Sequence, residues 1–306
     1  MNACPTFTDY AQRQPSAAAP QGGARTRGEL KTSTPGAPLI SVVTAVLNRK
    51  ETLRRTIDSV AGQSYKNVEH VIVDGGSTDG TLDVIRANDA RIGYWVSEPD
   101  HGIFDAMNRG VALCRGQYIS ILNSDDYYRP GAIEAVVQTI AATGCDVAYG
   151  DYTFVVADIG MEKPIVADVN LKKGMTIGHA IFIARHVYER LGLYDLRYRY
   201  SSDLDFALRM QSGGVKFAKV FDTAPLQYFS SGGAAEQHLW TASREAASAL
   251  RRHAGIAPAT VYALKGLKRV LLRGMQDVNR GVFGEQSYLR VKEWYYRSQG
   301  YRKGSG

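Results

Sequence analysis

Residues 68–89 read "VEHVIVDGGSTDGTLDVIRAND": an apolar strand, a polar loop carrying Asp74 and three glycines, then a helical stretch. The same succession recurs on both sides of it. Upstream, "PLISVVTAVLN" is a buried strand, and "ETLRRTIDSVAGQ" sets Leu53, Ile57 and Val60 on one helix face before stopping at Gly62. Downstream come the strand "RIGYWVSEP", the helix "GIFDAMNRGVALC", the strand "GQYISILN", the helix "GAIEAVVQTIAATG" and the strand "DVAYGDYTF". Short apolar runs alternating with helical periods predict an α/β fold, a mostly parallel central sheet with helices on both faces. From about 165 to 235 the pattern is more irregular, with one helix expected from Asp203 to about Gln211. Beyond Gly233 the chain reads as a helical C-terminal region.

At 306 residues and 44% hydrophobic content the chain fills one large domain or two modest ones. Cys4, Cys114 and Cys145 lack metal-ligand spacing and suggest neither a disulfide framework nor a zinc site, so a reducing compartment is expected. The longest apolar run, "LISVVTAVL", is too short to cross a bilayer, and no secretory pattern opens the chain. A soluble or peripheral, cytoplasmic protein is the expectation. Residues 1–37 are rich in Ala, Pro, Gln, Gly, Ser and Thr without an apolar period, which predicts a disordered leader.

The net charge of +7 is uneven. From Arg251 onward there are 12 Lys+Arg against 3 Asp+Glu, while residues 1–250 carry 25 against 27. Such a tail suits anionic lipid or nucleic acid, or is a solvated basic helix. Within it, "TVYALKGLKRVLLRGMQDV" sets Leu264, Leu267, Leu271 and Met275 opposite Lys265, Arg269, Arg273 and Gln276. That amphipathic helix either lies on a membrane surface or packs its leucines on the domain.

Ligands of open α/β sheets sit beyond the carboxyl ends of the strands. Four such ends are polar: Asn48, "DGGSTDG" from Asp74, "EPDHG" from Glu98, and "NSDD" from Asn123. The glycine loop frees backbone N–H groups, and Asp74 can accept a hydrogen bond from a nucleobase imide. The loop has neither GxxxxGK nor GxGxxG spacing, and a plain turn explains its glycines equally well. Asp125 and Asp126 repel each other. A divalent cation bridging them to a diphosphate relieves that repulsion, as does a turn or cap role for Asp126.

"ISVVTAVLN", "VIVDGGSTDGT", "SEPDHGIFDAMNRG" and "GQYISILNSDD", in this order and spacing, closely resemble the family-2 glycosyltransferases, especially bacterial enzymes that build cell-surface polysaccharides and glycolipids. The resemblance runs from about Ile40 to at least Leu208. It implies a GT-A fold over residues 38–235, with a nucleotide-binding half at about 38–150 and an acceptor half at about 151–235, ahead of a basic helical region at 236–306. It also implies Mg²⁺ or Mn²⁺ and an inverting displacement on a nucleotide-diphosphate sugar by a saccharide or lipid-linked acceptor. The donor nucleotide would meet Thr44, Asn48, Asp74, Gly76, Ser77, Asp105, Asn108, Arg109, Ser124 and Asp125, with the base at Asp74 and the metal on Asp125 and Asp126. Asn123 stands at the first acid of the metal motif, and Leu47 where many members carry an aromatic.

"YRYSSDLDFALRM" is similar to the segment that supplies the general base, which falls on Asp203. Asp205, three residues after Ser202, reads as half of a capping box. His179 in "TIGHAIFIARHVYERLG" matches a position on the acceptor or diphosphate side, and Arg109 either neutralises phosphate or stands solvated on its helix. The expected place of work is the cytoplasm, at the inner face of the cell membrane, where the basic residues 260–306 would touch anionic lipid, with no nucleic-acid partner. Two other readings compete. Sugar-phosphate nucleotidyltransfer shares the sheet and the carboxylates but usually wants a Gly-rich basic loop after the first strand, which "VLNRKETLRR" lacks. A non-catalytic lipid- or RNA-binding protein would rest on the basic tail.

Overall fold

The computed structural model describes residues 4–169, 179–222 and 224–304. In chain order the elements are α1 (Phe7–Ala11), β1 (Gln21–Gly22), β2 (Ile40–Val46), α2 (Lys50–Ala61), β3 (Val68–Asp74), α3 (Thr81–Ala87), β4 (Tyr94–Ser97), α4 (Ile103–Leu113), β5 (Tyr118–Ile121), β6 (Tyr127–Tyr128), α5 (Ala132–Thr143), β7 (Val147–Tyr149), β8 (Tyr152–Val156) and β9 (Met161–Ile165). There follow β10 (Ile181–Ala184), α6 (Arg185–Leu191), α7 (Ser202–Ser212), β11 (Phe217–Lys219), β12 (Gln227–Ser230), α8 (Ala234–Gln237), α9 (Leu239–Ala254), α10 (Ile256–Ser298) and β13 (Arg302–Lys303).

The main sheet runs β1-β4-β3-β2-β5-β10-β7-β11. Its β4-β3-β2-β5 block is parallel throughout, and β10 is antiparallel to both neighbours. The strand order reverses at β2, where β3 and β4 lie to one side and β5 to the other. By the general rule for open α/β sheets, the crevice that takes a ligand lies at this switch point, beyond the carboxyl ends of β2 and β5. Alternate strand residues feed opposite faces. Val43, Val71, Val73 and Val96 pack toward Phe104, Met107 and Val111 of α4, whereas Val46, Ile72 and Trp95 pack toward Leu53 and Ile57 of α2 and Ile85 of α3. Helices therefore cover both faces, as the sequence pattern predicts.

Two expectations are corrected. "DVAYGDYTF" is not one strand: β7 belongs to the main sheet, and β8 starts a second, five-stranded sheet of order β13-β9-β8-β12-β6. The break falls at Gly150, where a Cβ would collide with Leu226. Second, the leader is ordered from Cys4 onward. Thr6 and Asp9 form a capping box on α1, β1 pairs antiparallel with the open edge of β4, and Tyr10 is only 8% exposed. The segment builds no core of its own, which is why it has no apolar period. It is held by side chains reaching into the domain: Tyr10 to Asp105, Arg13 to Asp105 (3.1 Å) and Arg25 to Glu69 (2.8 Å).

Of the stretch expected to be irregular, residues 170–178 and 223 lie outside the described residues, as do residues 1–3, 305–306 and the side chain of Gln276. The helical C-terminal region is present. Leu250 and Ala246 of α9 join the core, and α10 is broken at Gly284, which adopts φ 80° and ψ 174°. After the break Leu289 and Tyr296 pack on Val156, Ile159 and Met161, and β13 pairs with β9. Among the described residues no helix is long and apolar enough to cross a membrane.

Candidate active site

The ends of β2, β3 and β4 are tied into one polar wall. Asn48 adopts φ 52°, donates its N–H to Ser77 Oγ (2.8 Å) and accepts from the Thr78 N–H (2.9 Å). Ser77 in turn donates to Asp74 through its hydroxyl, to Oδ1, and its N–H, to Oδ2, and Ser97 Oγ also donates to Oδ2 (2.6 Å). Asp74, Asn48, Ser77 and Gly76, which sits at φ 84°, thus come together as expected. Asp74 is fully buried, so its first duty is to hold this wall. Gly75 faces the Asp100 carboxylate so closely that any Cβ would clash with it. Asp100 is a residue sequence reasoning passed over; the signal was the glycine pair opposite "EPDHG".

The β5 end separates the two adjacent acids. Asp126 is 0% exposed and accepts from the Ser230 N–H (2.9 Å), Asn123 Nδ2 (3.1 Å) and Gln227 Nε2 (3.2 Å). It ties β12 of the second sheet to the main one. Burial and the neighbouring Asp125 charge push its carboxyl well above the ordinary range despite those donors. Asp125 is half-buried, and Ser124 beside it is buried. The Asp125 backbone carbonyl accepts from Arg55 Nη2 and Ser230 Oγ (2.8 Å each), while its carboxylate forms no ion pair among the described residues. Burial raises the Asp125 carboxyl too, with Arg49 and Arg55 acting against the rise. These two arginines were also missed, since Arg55 shows in sequence only as the polar face of α2.

A magnesium-type ion is commonly held by one or two carboxylates and completed by substrate phosphates and water. Among the described residues no group of three or more His, Cys, Asp or Glu is gathered to enclose a metal. An unpaired Asp125 carboxylate at the crevice fits such an open site. Asp126, with three protein donors on its two oxygens, serves first as a structural pivot rather than as an equal second ligand.

Other expected donor residues are structural in their contacts. Thr44 is buried, donates to the Leu122 carbonyl (2.8 Å) and meets His70 Nε2 (2.9 Å). Asp105 is taken up by Tyr10, Arg13 and the His101 N–H. Burial alone would raise its carboxyl, but the Tyr10 hydroxyl, His101 N–H and Arg13 outweigh that and lower it. Asn108 is buried and clips the Tyr194 backbone through both its amide atoms, 2.8 and 2.9 Å. Arg109 is not solvated: it is 4% exposed, with one guanidinium nitrogen paired with Glu98 and the other two buried without a hydrogen-bond partner among the described residues. Helix α4 thereby holds the β4 end on one side and the segment leading into α7 on the other.

Asp203 sits in the first turn of α7, half-buried, and accepts the Leu204 N–H (2.8 Å). It has no cationic partner among the described residues. Burial pushes its carboxyl up to about 6, against the backbone N–H donors and aided by the charge of Glu245. Asp205 differs from the expected cap. Its side chain bonds Arg209 (2.8 Å) and His253 (2.9 Å), the N-cap is Ser201, and the Ser202 hydroxyl is buried without a partner among the described residues. The reason is that α7 packs on α9, which brings His253 within reach. His179 stacks on Phe229 (3.6 Å between ring centres) and meets Tyr152 edge-on, and burial pushes its imidazole down to about 4. It is a neutral aromatic element of the second sheet.

A switch-point crevice walled by a glycine loop, with unpaired acids at two separate helix and strand ends, is GT-A architecture, that of glycosyltransferases. Residues 41–166 match the model of the glycosyl transferase family 2. A PGL/p-HBAD biosynthesis glycosyltransferase of Mycobacterium bovis is 32% identical over 202 residues, covering 64% of this chain and 79% of that protein. The UDP-Glc:alpha-D-GlcNAc-diphosphoundecaprenol beta-1,3-glucosyltransferase WfaP of Escherichia coli is 29% identical, covering 58% and 72%. Among solved structures, S. aureus TarS 1-349 in complex with UDP aligns at TM-score 0.57 and 14% identity, covering 75% of this chain and 71% of that one. The mannosyltransferase PcManGT from Pyrobaculum calidifontis, in complex with GDP-Man and Mn²⁺, aligns at TM-score 0.55 and 12% identity, covering 96% and 86%. The chain belongs to glycosyltransferase family 2, in its bacterial cell-surface branch.

Proposed function

We propose that the chain is an inverting glycosyltransferase that moves a sugar from a nucleoside-diphosphate sugar to a hydroxyl of a lipid-linked saccharide, with Asp203 as general base. The observation that carries this reading is the Asp203 carboxylate, without a cationic partner among the described residues and held by burial near pKa 6. A base works best when its pKa lies near the operating pH, and this one is ionised at neutral pH yet able to take a proton.

In the proposed step the acceptor O–H proton passes to an Asp203 oxygen as the acceptor oxygen bonds the anomeric carbon. The bond from that carbon to the diphosphate oxygen breaks on the opposite face, and its electron pair leaves with the nucleoside diphosphate. Asp125 would hold Mg²⁺ or Mn²⁺, which supplies compensation for the negative charge gathering on the leaving group. Arg49 and Arg55 add fixed positive charge at the same corner. The wall of Asn48, Asp74 and Ser77 would orient the nucleotide. Asn108 acts at one remove, by seating the Tyr194 segment ahead of α7.

The lipid-linked acceptor is supported by WfaP, whose name specifies a diphosphoundecaprenol acceptor. With such an acceptor the reaction would run at the cytoplasmic face of a membrane. The reading is tested by thermal shift with UDP, GDP and dTDP, each with and without Mn²⁺, because a ligand that binds only the folded state raises the melting temperature by mass action. One nucleotide stabilising the protein in a Mn²⁺-dependent manner is expected. No shift with any of them rejects the donor class.

A further inference from the structure

Six apolar side chains of α10, Leu264, Leu267, Leu271, Met275, Val278 and Val282, are 43 to 69% exposed. Their spacing of three and four residues puts them in one stripe, which at 1.5 Å rise per residue runs for about 27 Å. The stripe points away from the domain. At 100° per residue, Gly266 and Ala259 lie on the far side of the helix from Leu264. Gly266 seats there against Ser243 of α9, where a Cβ would stand 2.5 Å from the serine side chain, and Ala259 is buried.

One flank of the stripe is basic: going round the helix from Leu264, Lys268 comes first and then Lys265, whereas Arg269, Arg280 and Arg273 lie on the far side with Gly266. Asp277 is the single acid in the sequence between 256 and 283. A second copy of the chain laid on this stripe would set like charges side by side. An anionic bilayer offers the opposite charge next to an apolar layer.

We infer that this face of α10 lies in the surface plane of an anionic membrane, with the stripe at the headgroup–acyl boundary and the Lys265 and Lys268 heads at the lipid phosphates. The helix rests on the bilayer and does not cross it. This goes beyond the catalytic reading and is independent of which residue is the base.

The test is flotation of the full chain with phosphatidylcholine vesicles, with and without phosphatidylglycerol. Binding to the anionic vesicles at least about ten-fold tighter than to the neutral ones, and weakening with salt, is expected. Leu271→Glu with Val278→Glu should abolish binding at any salt while leaving the melting temperature unchanged, because both side chains are exposed. Lys265→Glu with Lys268→Glu should cut anionic binding by about ten-fold or more, since each reversal changes two charge units. This second pair decides the matter even if the first unfolds the protein. Absence of binding to either vesicle overturns the inference, as does binding indifferent to the charge reversal. A concentration-dependent dimer dissolved by Leu271→Glu with Val278→Glu, together with no vesicle binding, overturns it in favour of self-association.

Discussion

Replacing Asp203 by Asn should make the protein more stable and nearly inactive, and the two effects have one cause. The side chain's rise from 3.8 to about 6 is driven first by burial. At about 1.4 kcal/mol per pH unit, holding it ionised at pH 7 costs the folded state about 3 kcal/mol. The sign follows from proton counts. Between about pH 4 and 6 the folded chain binds more protons at this site than the unfolded one, so stability falls as pH rises through that window. Below it the cost is absent; at pH 7 it is complete. Asn is neutral at every pH and keeps an oxygen for the Leu204 N–H. The variant should therefore be stabilised by up to about 3 kcal/mol at pH 7 and not at all below pH 4, as read by urea titration at the two pH values. Turnover should fall by about 10² to 10⁴ for loss of a general base. Nucleotide affinity by calorimetry should hold, and the wild-type kcat/KM should show an acid limb near pH 6. A variant that is destabilised at pH 7, or that retains turnover, refutes the reasoning.

Three further outcomes follow from the site. Asp125→Ala should remove the Mn²⁺-dependent part of nucleotide binding with little change in melting temperature, whereas Asp126→Asn should cost about 1–3 kcal/mol by leaving a buried donor among Ser230, Asn123 and Gln227 unpaired; thermal melts with and without Mn²⁺ separate the two. Tyr10→Phe should destabilise by about 1.5–3 kcal/mol, since it strips a bond from the buried Asp105 carboxylate, and equal chemical-denaturation midpoints for variant and wild type would exclude that role. Gly75→Ala, which forces the Asp100 carboxylate aside, should weaken nucleotide binding more than it lowers the melting temperature; the reverse order would count against the wall's part in the donor site.

Much of this was legible in the chain. β2 and β3 centre on the apolar runs Val42–Val43 and Val71–Val73, and the helices α2 and α5 end where glycines stop them, so alternation of strand and helix yields the parallel block and its polar strand ends. The motif order then locates the acids. What escaped the pattern is whatever depends on distant partners. The N-terminal segment has no period because its stability comes from polar side chains meeting Asp105 and Glu69, far along the chain. Asp205 has the spacing of a cap, yet His253 reaches it from α9. Asp125 and Asp126 are equivalent in sequence and become distinct only when β12 delivers two N–H donors to one of them.

The docking of the first segment bears on how the chain acquires its shape as it is made. Gln21 pairs with Val96, Tyr10 bonds Asp105, and the Leu193 N–H donates to the Pro5 carbonyl. During synthesis these residues leave the ribosome before their partners, which follow 75 positions later for Gln21, 95 for Tyr10 and 188 for Pro5. The strap thus closes in steps, each contact waiting for a partner made after it.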